Sequence, residues 1–335
     1  MSDKTRPDGG PVERKIQMTG GSTYTVSIPK AWAKRRGIES GTPVHLYPFE
    51  DRIVVLQSAI NDREQKARLN VDTVGDEATE KHIEAAYAAG SDEITVVSDT
   101  GFSASQRRLA SAAITGLIGM EIASETDREL VAKSLLDPSE ISLDGTIEQI
   151  RQISLTMHEN AVRTVLSTDP DDGMATHIVS RDDDVDRLFA LVSRRFYRVL
   201  VDVREIEKLQ TGRQAALTQF RVARQLERVA DHAERIADVG SRLEEPPEED
   251  LAAEFEGLAA DARRVVRTAL DGNTGEALLR RDGVVDRIEE LDRRLYENSR
   301  TDVYLYGRLL ESLRRTAEYG GNIAEIITLN EITDE

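Results

Sequence analysis

The feature that most constrains this chain is a repeat. From about Thr146 onward the sequence returns to itself some hundred residues later, three times in the same order. "AVRTVL" at 161–166 matches "VVRTAL" at 265–270, and "VDRLFALVSRRFY" at 185–197 matches "VDRIEELDRRLYE" at 285–297. "QLERVADHAERIADV" at 225–239 matches "SLRRTAEYGGNIAEI" at 312–326. Ordered matches of this kind predict a tandem duplication of three helices, with one copy over 146–243 and the other over 248–330. The break "EEPPEED" at 244–250 separates them, because paired prolines remove backbone donors and do not continue a helix. In the third helix of the first copy, Leu226, Val229, Ala230, Ala233 and Ala237 recur at about 100° per residue, so this face is the expected core stripe.

Two further segments precede the repeat. Residues 66–137 alternate strand-like and helix-like stretches: "ARLNVDT", "DEITVVSD", "MEIASE" and "ELVAKSLL" read as strands, and "EATEKHIEAAYAAG" and "SASQRRLASAAITGLIG" as helices. A small α/β domain with βαβ crossovers follows. Residues 12–57 read β-β-α-β-β, with hairpins "RKIQM"/"YTVSI" around Gly20-Gly21 and "PVHLYP"/"RIVVLQ" around Glu50-Asp51. Between them "PKAWAKRRGI" is a short helix, opened by Pro29 and stopped by Gly37. Some forty-five residues make too small a core to stand alone, so intertwining with a second copy is expected. The fold class is thus multidomain α+β: a small β-rich N-terminal domain, an α/β middle domain and an all-α tandem repeat.

Charge divides the chain the same way. The net charge is −18, yet residues 12–57 set seven basic side chains (Arg14, Lys15, Lys30, Lys34, Arg35, Arg36, Arg52) against four acidic ones (Glu13, Glu39, Glu50, Asp51), a local +3. Residues 1–11 balance, so everything from 58 onward carries −21. Such acidity, with few lysines among the bases, suits a salt-rich, halophilic cytoplasm and repels polyanions at long range. In the N-terminal segment, cations from the first strand (Arg14, Lys15) and the helix (Lys30, Lys34, Arg35), with the hydroxyl of Ser22 in the turn, favour phosphate and base contacts over a merely solvated helix end. At high salt the distant negative charge is screened, and specific hydrogen bonds must supply much of the affinity.

The absence of cysteine excludes disulfides and thiolate metal sites, which leaves carboxylates and five histidines as ligands. Glu227, Asp231, Glu234 and Asp238 form an acidic stripe beside the apolar face of their helix. Two readings stay open. Arg224, Arg228 and Arg235 lie within one helical turn and neutralise the stripe, or it holds a divalent or trivalent ion (Fe, Zn, Mn or Mg) together with Asp182 or Asp186 of the preceding helix. In the second copy the column reads Arg314, Glu318, Asn322 and Glu325, and an arginine at the first position repels a metal. Gly320 and Gly321 in mid-helix predict the close approach of another helix. His158 and His232 read as packed or surface residues. No hydrolase triad, HExxH or phosphate loop occurs, so an enzyme is not expected. No apolar run is long enough to span a membrane and the N-terminus lacks a signal core, so a cytoplasmic protein without membrane insertion is expected.

The segment from Glu13 to Gln57, with "GGSTYTVSIPKAW" leading into its helix, resembles the AbrB/SpoVT family of swapped-hairpin DNA-binding domains, particularly its archaeal form. The resemblance implies an interlaced homodimer that grips DNA through Arg14, Lys15, Ser22, Lys34 and Arg35. Residues 146–330 resemble the PhoU family of phosphate-signalling proteins, built from two three-helix repeats. "LERVADHAERIAD" is similar to that family's E-R-x-x-D-x-x-x-N-I-A-E signature: Glu227 and Asp231 stand at its first acidic positions and Arg235 replaces the usual asparagine. The second copy keeps Asn322, Ile323, Ala324 and Glu325. The resemblance implies carboxylate-bound metal clusters and a role at the phosphate transporter. Together these point to a dimeric transcriptional regulator of phosphate uptake that binds operator DNA. The rival is an interaction protein that holds a phosphate ABC transporter ATPase or histidine kinase and uses its N-terminal segment only to dimerise.

Overall fold

The computed structural model describes residues 12–21, 23–48, 53–56, 65–135, 142–167, 173–201, 212–297 and 302–334. It divides into two units, Met1–Arg63 and Glu64–Glu335.

In the first unit, β1 (Gln17–Thr19) pairs antiparallel with β2 (Thr23–Thr25), and β3 (His45–Pro48) with β4 (Ile53–Leu56), as two separate two-stranded sheets. Between the hairpins α1 (Lys30–Arg35) starts directly after Pro29, whose missing N–H costs nothing at a helix start. The turn at Glu50-Asp51 and the residue Ser22 lie outside the described residues. No described residue of this unit is buried: Ile16, Met18, Tyr24, Leu46 and Ile53 each present more than 60% of their surface. Two-stranded hairpins of this kind are marginal in water without a further layer.

The second unit begins with a four-stranded sheet of order β5 (Lys66–Asn70), β6 (Glu93–Val97), β8 (Glu129–Ser134), β7 (Met120–Glu125). β5 and β6 are parallel, joined through α2 (Val71–Val74) and α3 (Asp76–Ala88). The second crossover, through α4 (Ala104–Gly116), is split: β8 inserts antiparallel between β6 and β7. Ile83, Tyr87, Ile94, Val96, Ile114, Leu130 and Ala132 form the core of this layer. Ser103 and Gln106 close a reciprocal capping box at the start of α4.

Six long helices follow: α5 (Leu143–Leu166), α6 (Met174–Val201), α7 (Arg213–Arg242), α8 (Glu249–Leu270), α9 (Thr274–Glu297) and α10 (Val303–Asp334). They share one core, in which the expected stripe of Leu226, Val229, Ala230, Ala233 and Ala237 is buried. The core is built from Ala, Val, Leu and Ile with few rings, so helices approach closely. A Cβ on Gly320 would lie 2.8 Å from the backbone N of Val266, which accounts for that glycine in mid-helix; one on Gly321 would meet the side chain of Arg281 at 2.5 Å.

The α/β layer is fixed to the helices by arginines of α6. Arg194, 4% exposed, donates to the carbonyls of Tyr87 (3.2 Å) and Ser91 (2.6 Å) and to Asp92 Oδ1 (3.2 Å). Its guanidinium lies 5.0 Å from the centre of the Tyr87 ring. Arg198 reaches the same Asp92 carboxylate and the carbonyl of Gly90.

Candidate functional site

Helices α6 and α7 bring five of the six expected acids of the first repeat within electrostatic range. Burial, reinforced by Asp186, Asp231, Glu234 and Glu227, pushes the Asp182 carboxyl up to about 7. Burial and then Asp231 push Glu227 up to about 7 as well, and Asp186 is raised by the same two causes. Glu227 receives a hydrogen bond from Arg224 at 2.9 Å on Oε1, while its Oε2 is buried without a hydrogen-bond partner. The other two candidate counter-cations face elsewhere: Arg228 lies over the Tyr319 ring (5.8 Å) and Arg235 donates to His232 Nε2 (3.1 Å). Internal neutralisation is therefore incomplete. Asp238 leaves the column, held instead by Arg308 (3.1 Å) and Arg242 (3.5 Å).

The donor chemistry fits an oxygen-bound cation, since crowded carboxylates and an orphaned buried oxygen both gain from one. The spacing does not form a cage: among the described residues, no three acidic or histidine side chains stand close enough to share an ion.

The second repeat differs in charge. Arg314 and Arg315 both bond Glu311 and Glu318, and Arg281 Nη1 reaches Glu325 Oε1 at 3.3 Å. Asn322 donates to Gln225 of α7 at 3.0 Å. Guanidinium groups stand beside Glu318 and Glu325, as the arginine at position 314 implied, and this column has no uncompensated carboxylate pressure like that at Asp182.

A cavity of about 560 Å³ that the sequence did not disclose lies between α3 and α4 on one side and α6 and α7 on the other. Lys81, Glu84, Asp186, Arg187, Arg224 and Glu227 line it together with alanines of α3, α4 and α6. No periodicity could have announced it, because its walls come from segments a hundred residues apart.

The cations of the first unit are exposed. Arg14, Lys15, Lys30, Lys34 and Arg35 all face solvent, and the Arg14 guanidinium reaches only the adjacent carbonyl of Glu13 (3.0 Å). None of them pairs with a carboxylate among the described residues. Ser22 lies outside the described residues.

Both histidines left as packed or surface residues are packed. His158 is fully buried, and its Nδ1 accepts from Arg263 Nη1 at 3.2 Å. Burial, with the Arg263 charge second, lowers its pKa to about 3. An unfolded imidazole takes up its proton near 6.5, so between those values the unfolded state binds more protons and stability falls as pH falls. The raised acids Asp182 and Glu227 act oppositely over roughly pH 4–7, where the folded chain binds the extra protons. The variant His158→Gln, which keeps an acceptor for Arg263 but does not titrate, separates the two. Between pH 6 and pH 4, the native chain should lose about 2–3 kcal/mol of unfolding free energy relative to the variant, measured by urea denaturation.

Residues 147–239 match the PhoU domain family, and residues 17–62 match the family described as antidote-toxin recognition MazE, bacterial antitoxin. No curated protein matches the chain. Among solved structures, the phosphate transport system regulatory protein PhoU from Streptococcus pneumoniae is similar at 18% identity and a TM-score of 0.44, over 58% of this chain and 94% of that one. A segment similar to the MazE family thus precedes one similar to the PhoU domain, and the latter takes in the first three long helices.

Proposed function

We propose that the protein is a non-enzymatic, homodimeric regulator of phosphate uptake that binds operator DNA through its first unit and senses phosphate or transporter state through its helical repeats. One observation carries the reading. The first unit has unpaired cations beside strands whose apolar side chains find no core of their own, so a second copy would both cover those strands and present each cation twice. Arg14, Lys15, Lys30, Lys34, Arg35 and Ser22 are the assigned DNA contacts. Coupling requires the repeats to favour one arrangement of the paired DNA-binding units over another. Mapping chromosomal occupancy by immunoprecipitation tests it: peaks upstream of phosphate-transport genes are expected. A flat profile would favour the rival, a PhoU-type partner of a transporter ATPase or histidine kinase that is dimerised by its N-terminal unit. No helix among the described residues is long and apolar enough to cross a membrane, which suits either partner being met from solution.

The acidic column is proposed as a cation site of the first repeat, with oxygen donors from Glu227, Asp182, Asp186, Asp231 and Glu234 that must draw closer than they stand here before three can share one ion. A bound ion would supply positive charge beyond that of Arg224, Arg228 and Lys81, which leave these carboxyls raised. Elemental analysis of chain purified without chelators should give at least one tightly held ion per dimer, and Glu227→Gln should lower that count. Less than one ion per dimer in the native chain removes the assignment.

A further inference from the structure

Next to the acidic column along α7 lies a second cleft, this one with arginines on its walls. About 410 Å³ in volume, it runs between α7 and the first turns of α10 and is lined by His232, Arg235, Tyr304, Arg308, Glu311 and Ser312. Gly307 opens its wall.

The charges around it do not cancel. Glu311 is consumed by Arg314 and Arg315, which hold its carboxyl below the usual range against the opposing effect of burial. Asp238 is shared by two guanidinium groups, Arg242 and Arg308. Arg235 is exposed and has no carboxylate partner among the described residues. Across the cleft lining and its ion pairs, the five guanidinium groups of Arg235, Arg242, Arg308, Arg314 and Arg315 stand against the three carboxylates of Asp238, Glu311 and Glu318, a local excess of positive charge in a chain of net −18. Low-dielectric walls focus such an excess into the cleft between them.

The lining adds a histidine with an unpartnered ring nitrogen. His232 is 6% exposed, and its Nε2 accepts the Arg235 N–H (3.1 Å), with the Tyr319 hydroxyl at 3.4 Å. With Nε2 accepting, the imidazole proton sits on Nδ1, and Nδ1 is buried without a partner. A buried N–H without an acceptor is costly, and a cleft with two guanidinium groups on its walls is where an acceptor of negative charge would enter. Tetrahedral oxyanions match this donor set: an arginine fork can take two oxygens and the imidazole a third.

We infer that the cleft between Arg235 and Arg308 is a binding site for a phosphate group. It is distinct from the acidic column and lies at the position where the PhoU-like signature departs from asparagine to arginine. It would serve the regulatory reading as the entry point of an effector, yet it does not depend on DNA binding, and its test contains no DNA.

Orthophosphate is titrated calorimetrically into the full-length chain at constant ionic strength, with sulfate and adenosine monophosphate in parallel. Saturable binding of orthophosphate at millimolar or lower concentration is expected. Preference for adenosine monophosphate would identify the phosphate of a monoester as the occupant, seated with its organic part against the exposed Tyr304 ring. Preference for orthophosphate would identify the free ion. The double variant Arg235→Gln/Arg308→Gln should weaken binding at least tenfold, whereas Arg264→Gln, at an exposed arginine of α8, should leave it within twofold. If the double variant does not fold, Arg235→Gln alone, which breaks no ion pair, should still weaken binding several-fold. Absence of saturable binding of any phosphate compound by the native chain overturns the inference, and so does equal binding by native chain and variants.

Discussion

Replacing Arg14 and Lys34 together by alanine should abolish retention of operator DNA in a gel-shift assay while leaving the circular dichroism and the dimer unchanged. Both side chains are exposed and pair with no carboxylate among the described residues, so their removal breaks only the local bond from Arg14 to the adjacent Glu13 carbonyl. A dimer would lose four cations, and each phosphate contact contributes about 0.9 to the slope of log affinity against log salt, so residual binding should show a slope smaller by roughly 3–4. At fixed salt this is a large loss, because counterion release is the sequence-independent part of the affinity. Unchanged retention would mean that the cations are ornamental and that the apolar strands alone explain the unit.

Arg194→Met should destabilise the second unit by about 3 kcal/mol, read as a lower urea midpoint in the full chain. The guanidinium is almost wholly buried and answers two backbone carbonyls, an aspartate and a ring face. Methionine fills part of the volume but leaves the carbonyls of Tyr87 and Ser91 without that donor. Arg198 still reaches Asp92, which keeps the loss towards the lower end of the range for a broken buried pair. Hydrogen exchange in β6 should accelerate with it, since that strand ends the loop which the arginine holds. A loss below 1 kcal/mol would show that water replaces the guanidinium at little cost.

The elements that could be read from the sequence were those whose physics is local. Six helices with a common apolar stripe, the break at 244–250, the four strands of the α/β layer and the short helix after Pro29 all carry their signals within ten or twenty residues. Gly320 was legible because a mid-helix glycine lacks any other reason. Pairing order was less so: alternation marks β8 as a strand but does not say that it separates β6 from β7. The acidic column was visible as spacing, yet the arginines that one of its two readings set against it divide between tasks. Arg224 stays with Glu227, whereas Arg228 turns to Tyr319 and Arg235 to His232. The diversion of Asp238 to Arg308 depends on α10, seventy residues further on. The cavity walled by α3, α4, α6 and α7 and the Arg194 anchor are products of tertiary assembly, for which a single sequence offers no period or motif.

The two halves of the helical bundle treat their acids differently. In the C-terminal half, guanidinium groups pair with Glu311, Glu318 and Glu325, so each of these acids has a cation beside it. Strain from unmet negative charge is concentrated in the N-terminal half, the same one to which the α/β layer is bolted through Asp92. A cation arriving from solution would therefore gain more among the unpaired carboxyls of the N-terminal half than among the paired ones of the C-terminal half.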